Sequence, residues 1–330
     1  MADIFELYSK VGKAFGPSGR EDAARQSIEA LGKPYVDEAW TDTLGNLILR
    51  KRGRGKKIML CAHMDTIGFV ATHIEKGIIR FAPVGGVSVE DILNAFIQFE
   101  NGTAGIVAWE EKIPKKDMEL EHLFLDIGAG DEEAVSRNVQ VGDFAVFGNA
   151  PFRQDGCICG PYLDNRIGCA ALLKALEYLT ETDNDLYFVF SVQEEVGLRG
   201  AGPAAFAIAP DYAIAVDVTD TGDLPERKYP MAVKLGAGPA VKVMDKSVIT
   251  AEVVRSALLA AGKALSIPLQ TEILRFGGTD TAAIQRTRDG VLSGAVSIPT
   301  RYIHTPHEMV WEGDVLAAAR LLAHTVCAML

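Results

Sequence analysis

Cysteine, cationic side chains and long apolar runs are all scarce in this chain of 330 residues. Its five cysteines, at 61, 157, 159, 169 and 327, are too few and too irregularly spaced for a disulfide framework. Cys157-Ile158-Cys159 also lacks zinc-ribbon spacing, so reduced, packed thiols are expected. Lys and Arg total 33 against 44 Asp and Glu, a net charge of −11, which argues against a nucleic-acid or anionic-membrane partner because phosphate binding needs clustered cations. No apolar stretch approaches membrane-spanning length. The opening Met1-Ala2-Asp3-Ile4-Phe5-Glu6 carries acid where a signal peptide carries positive charge, and a cytoplasmic location is the expectation.

At 48% apolar and 23% charged residues, the composition is that of a globular protein with a sizeable core. Ile58-Met59-Leu60-Cys61-Ala62 reads as a strand buried on both faces, and His63 stands at its end. The same pattern recurs in Leu186–Val192, which runs into Glu194 and Glu195, and in Tyr212–Val216, which runs into Asp217. A fourth run, Gly294–Ile298, is followed by Arg301-Tyr302-Ile303-His304. Ile167, Ala170, Ala171, Leu173, Ala175 and Leu176 form the apolar face of a helix that would begin at Asp164. Further helices are expected near 2–14, near 20–31 behind a capping box Ser18-Gly19-Arg20-Glu21, near 250–265 and near 313–329. The alternation predicts an α/β fold with a mostly parallel central sheet flanked by helices. Residues 66–156 change texture to short strand-like runs, so they read as an inserted β-rich domain between the parts 1–65 and 157–330 of a catalytic domain.

Ligands of open α/β sheets collect at the carboxyl ends of the strands, where His63, Glu194, Glu195, Asp217 and His304 all fall. Any one of them alone has a plain structural use as a turn residue or helix cap. Two adjacent carboxylates beside a buried sheet are harder to explain, because they repel each other and resist desolvation. Nearby divalent cations remove that cost. Imidazole and carboxylate donors without thiolate suit zinc, cobalt or manganese in a catalytic site rather than a closed structural zinc. His73, His122 and His324 read as ordinary polar residues, and His307, just after Pro306, as a surface residue or one that supports a ligand from behind rather than a ligand itself.

Seven segments together resemble the glutamyl-aminopeptidase-like dinuclear metallopeptidases, which include the tetrahedral aminopeptidases. They are GPSGRE from Gly16, AHMDTIGF from Ala62, GPYLDNRIG from Gly160, VQEEVGLRGA from Val192, AVDV from Ala215, GGTDTAAI from Gly277 and RYIHTPHE from Arg301. The resemblance spans nearly the whole chain. It implies two divalent ions bridged by Asp164, one completed by His63 and Asp217 and the other by Glu195 and His304, with Asp65 orienting the His63 ring. Glu194 becomes the general base that removes a proton from the attacking water and passes it to the leaving amine. Gly278, Thr279 and Asp280 would line the substrate pocket. Two positions depart from the family pattern: Thr66 replaces the acid often found after His-x-Asp, and Asn165 stands where a second Asp is common.

The resemblance further implies peptide substrates cut at a free amino terminus, and self-association through the inserted domain into dimers and a homododecameric shell. Two rival readings stay open on the residues alone: a dinuclear amidohydrolase or deacylase acting on N-acylated amino acids, and a metal-stabilised scaffold without turnover. Arg275, beside the Gly-Gly-Thr-Asp motif, is a candidate reader of acidic substrate side chains.

Overall fold

The computed structural model of the chain describes residues 3–226 and 229–329. Four strands form the heart of its main sheet, in the order Asp185–Ser191, Lys57–His63, Tyr212–Thr219 and Leu292–Arg301, and all four are mutually parallel. Their side chains alternate between two cores, as the two-residue period of a strand requires. Ile58, Leu60, Phe188, Phe190, Ile214 and Val216 pack on one face, whereas Met59, Cys61, Tyr187, Val189 and Ala213 pack on the other. The wholly apolar runs seen in the sequence therefore mark a sheet covered on both sides.

The sheet as a whole is mixed, which corrects the expectation of a mostly parallel one. Among the described residues it has eleven strands, and Glu38–Thr41, Leu47–Lys51, Phe152–Gln154, Cys157–Gly160, Glu308–Trp311 and Ala240–Met244 all enter through antiparallel pairings. Connection length explains several of these. The turn between Thr41 and Leu47, held by the Asp42 carboxylate accepting from the N–H groups of Leu44, Gly45 and Asn46, is far too short for a parallel crossover. The same holds between Gln154 and Cys157.

The helix Leu163–Tyr178 is buried around its whole circumference from Leu163 to Leu176, lying between the sheet and the outer helices Ile4–Gly12 and Glu312–His324. Six strands between Gly68 and Phe147 close into a separate barrel with a core built around Phe69, Ile79, Ile97, Val107, Leu125 and Phe147. Tyr162 fastens that barrel to the start of the buried helix. Its ring stacks on Phe147 at 5.7 Å, and its hydroxyl accepts the Phe147 N–H. Among the described residues, no helix is long and apolar enough to cross a membrane.

The capping box does not form. The helix Asp22–Gly32 begins without a side-chain cap, because the Ser18 hydroxyl donates to Asp65 instead and Glu21 accepts the N–H groups of Gly19 and Gln193. Arg166 is the largest fully buried side chain, and its guanidinium donates to the carbonyls of Val11, Ala14 and Gly16. Val11 lies in the last turn of the first helix, where carbonyls lose their helical partners, and Ala14 and Gly16 lie just beyond it. Arg166→Ala should therefore lower stability by about 3 kcal/mol, since it strips a charged donor from buried acceptors. A urea midpoint within error of the parent would refute this, and Arg166→Lys should recover only part of the loss.

Candidate metal centre

The parallel strands deliver their ends to one point. His63 closes its strand, Asp217 lies near the end of the next, and Glu194 and Glu195 follow Ser191 after Gln193, whose φ is +56°. His304 comes after Arg301 on backbone at φ +66°, a left-handed conformation that is costly for a residue with a side chain. Asp164 stands in the first turn of the buried helix, with non-helical backbone and a cis peptide to Asn165.

Asp164 lies between the two histidines. Its Oδ1 is 3.1 Å from His63 Nε2, and its Oδ2 is 3.3 Å from His304 Nε2. Asp217 Oδ1 approaches the same His63 nitrogen at 3.6 Å, and Glu195 Oε2 approaches the His304 nitrogen at 3.3 Å. Glu194 Oε2 stands further off, 4.0 Å from His63 Nε2. All the residues that the sequence nominated as ligands or base are thus brought together.

Their electrostatics are those of a group short of positive charge. Burial pushes the carboxyls of Glu194, Glu195 and Asp217 up, and neighbouring carboxylates add to the push. Burial acts on Asp164 too, yet its contacts with His304 and His63 hold it below the usual carboxylate range. Burial opposes charge on the imidazoles, but the surrounding carboxylates outweigh it, so His63 rises well above its ordinary value and His304 is pushed up to about 12. The crowded carboxylates thus call for positive charge at this point, which divalent ions would supply while leaving the ligating imidazoles neutral.

The donor set fits divalent ions. Asp164 Oδ1 and Glu195 Oε1 are buried without a hydrogen-bond partner. Two triads, His63–Asp164–Glu195 and His63–Glu194–Asp217, each offer three ligand atoms within 4.8 Å of one another. The donors are nitrogen and oxygen only, as zinc, cobalt or manganese sites use.

Three further residues, Asp65, Glu21 and Glu308, hold this centre, and the sequence reading gave only Asp65 a part in it. The Asp65 carboxylate accepts the N–H groups of both Glu194 and Glu195, at 3.0 and 3.2 Å, as well as the Ser18 hydroxyl at 2.6 Å. Its nearest contact with the His63 ring is through its backbone carbonyl, 3.2 Å from Nδ1, with the carboxylate at 3.5 Å. Glu21 anchors Gln193 just ahead of the two glutamates. Glu308, 1% exposed, accepts the Asp164 N–H on one oxygen and the His304 N–H on the other, both at 2.8 Å. The available signal for Glu308 was an acid at the head of the short apolar run Met309-Val310-Trp311, four residues after His304.

The two departures from the family pattern have structural uses. Asn165 donates to the Val216 carbonyl at 2.8 Å, a bond that an ionised Asp could not make. Thr66 is buried and donates to the Gly16 carbonyl through both its N–H and its hydroxyl. His307 meets Asn149, away from the centre.

A cleft of about 610 Å³ opens over the centre. Gly278 and Thr279 line it, but Asp280 does not. That carboxylate is buried beneath, hydrogen-bonded to the Ser191 hydroxyl, with burial chiefly responsible for raising it to about 6. Gly85 and Gly86 bring the barrel side to the site: a Cβ on Gly86 would lie 3.2 Å from His304 Nδ1, and one on Gly85 3.2 Å from Glu195 Cβ.

A two-sided α/β sheet with buried carboxylates and imidazoles at the ends of its parallel strands, open to a cleft, is the framework of a metal-dependent hydrolase. Residues 45–321 match the M42 glutamyl aminopeptidase family, and the chain belongs to that family of metal-dependent peptidases. A protein of Acetivibrio thermocellus whose aminopeptidase name is provisional is 48% identical over 327 residues, covering 98% of this chain and 99% of its own. A solved aminopeptidase from the archaeon Desulfurococcus kamchatkensis superposes with a TM-score of 0.94 at 36% identity, covering 98% of this chain and 94% of that one. The TET1 peptidase of Pyrococcus horikoshii, which can assemble into a tetrahedron or a large octahedral shell, gives 0.89 at 30% identity, covering 99% and 100%.

The Glu308 bonds generate a test. In Glu308→Gln one oxygen becomes an amide nitrogen, which cannot accept, so one of the two backbone N–H groups loses its partner. Divalent-ion affinity measured by chelator competition should weaken roughly 10- to 100-fold, the usual cost of losing a residue that orients ligands. Parent-like affinity would show that Glu308 does not set the ligand positions.

Proposed function

We propose that the protein is a dinuclear metal-dependent aminopeptidase. The observation that carries this is Asp164, whose two carboxylate oxygens face different imidazoles, each imidazole having a second carboxylate beside it. His63, Asp164 and Asp217 would hold one divalent ion; Asp164, Glu195 and His304 would hold the other, zinc or cobalt foremost and manganese third. Bound there, such ions activate water and polarise a carbonyl as Lewis acids.

The chain's own residues supply the rest. Glu194 lines the cleft and has an N–H anchored by Asp65, so its carboxylate is held beside the reacting atoms without being fixed between the two imidazoles. There it takes the proton of the attacking water and returns it to the nitrogen of the departing amine. Asp65 acts by holding the backbone of Glu194 and Glu195 and by meeting the His63 ring. A carboxylate of the centre receives the substrate's free α-amino group, which limits cleavage to the first residue of a peptide. Membership of the family favours this over deacylation of N-acylated amino acids. The open cleft beside Glu194 speaks against a purely structural centre, which has no use for a spare carboxylate.

In this reading, residues 1–65 and 157–330 form the catalytic domain and 66–156 an inserted lobe for self-association whose last strand, Phe152–Gln154, returns to the main sheet, with dimers building a twelve-subunit shell. Support comes from the barrel's own core, from its outward cross-strand pair Phe96 and Ile106, 42% and 50% exposed, and from the shell-forming TET1 relative.

Glu194→Gln should retain both ions by elemental analysis while kcat falls about 10²- to 10⁴-fold, the range supplied by general acid–base catalysis. His304→Ala should instead lower ion content. Parent-like turnover in the first variant, or full ion content in the second, would remove that residue from its role. Chromogenic leucine amides with free and N-acetylated amines separate the two hydrolytic readings, and faster release from the acetylated one would favour the deacylase.

A further inference from the structure

The metal centre can recognise only what all peptides share, an α-amino group and a carbonyl. Selection among side chains must therefore come from the remainder of the cleft wall. Much of that wall is apolar: Leu198, Val218, Leu274, Phe276 and Ile303 face the space beside the centre. Outside the centre, Asp220 is the one ionisable group on it among the described residues, and none of those residues is a Lys or Arg that could meet an incoming carboxylate. Arg275, the cation next to the motif, is not on the wall; its guanidinium lies over the Tyr229 ring at 5.9 Å. Tyr229 in turn backs Phe276, with ring centroids 5.7 Å apart, so an aromatic surface is held at the rim of the cleft. Phe276 is 40% exposed, leaving apolar area to be covered by a bound side chain.

We infer that this cleft selects peptides with a large apolar N-terminal side chain, aliphatic or aromatic, and disfavours acidic ones. The inference rests on the aminopeptidase reading above and names the substrate class for it. Covering Phe276, Leu274 and Ile303 with a leucyl or phenylalanyl side chain removes apolar surface from water on both partners. An alanyl side chain covers little of it. A glutamyl side chain must shed its hydration against the same wall. A lysyl side chain would likewise lose the hydration of its ammonium group.

The test is a panel of free-amino p-nitroanilides of Leu, Phe, Ala, Lys and Glu on the metal-loaded protein. Values of kcat/KM for Leu and Phe should exceed those for Ala, Lys and Glu by roughly tenfold or more, the scale on which an apolar pocket discriminates. Phe276→Ala should narrow the Leu-to-Ala ratio, mainly through KM for Leu, and Arg275→Ala should leave the Glu-to-Leu ratio unchanged. A best substrate with Glu or Lys, a flat panel, or a selective loss of Glu cleavage in Arg275→Ala would overturn the inference. Absence of turnover on every member would take down the aminopeptidase reading, and this inference with it.

Discussion

The rest of the structure depends on one electrostatic constraint: carboxylates crowded into a buried space need positive charge among them. Asp164, Glu194, Glu195 and Asp217 share that space with only two imidazoles. The rings respond by holding protons strongly, and three of the four carboxyls by rising. Such an arrangement is expensive for a fold with no use for cations. It becomes favourable when divalent ions take the place of the protons, and this links the charge pattern to the metal dependence of the family.

Holding repelling groups together requires rigid backbone, and acceptors anchored to N–H groups provide it. Asp65 grips the two glutamates, Glu21 the residue ahead of them, and Glu308 the helix start and the histidine loop at once. Gln193 and His304 both sit at positive φ, so these bonds act where the chain has been turned away from its preferred conformations. The barrel takes part as well, through Gly85 and Gly86 beside Glu195 and His304, and through Tyr162 just before Asp164. The insertion thus abuts the centre.

Where sequence reasoning failed, it did so for identifiable physical reasons. Ser18-x-x-Glu21 has the pattern of a capping box, but Asp65 and the Gln193 N–H are stronger claimants on its side chains. A parallel sheet was inferred from the buried central strands, while the flanking strands, whose short turns dictate antiparallel pairing, are less apolar and gave no such signal. Asp280 follows two residues that do line the cleft, but the chain turns there into a short helix and carries its carboxylate underneath. Arg275 was nominated by proximity in sequence, and the ring of Tyr229, nearly fifty positions away, receives it instead.

The sequence by itself determined the buried parallel strands, the helix behind Asp164, the β-rich character of the insertion and the residues that gather at the centre. These follow from local patterns, since burial on two faces and helical periodicity are written into neighbouring residues. The family resemblance implied that Asp164 bridges two sites; only the tertiary structure decided that its two oxygens face different imidazoles, that Glu308 and Asp65 hold the backbone around it, and that apolar residues from four separate segments share one wall. Those relations join residues up to about 240 positions apart in the chain. Distances of that kind are settled by how the elements pack, and no local pattern encodes them.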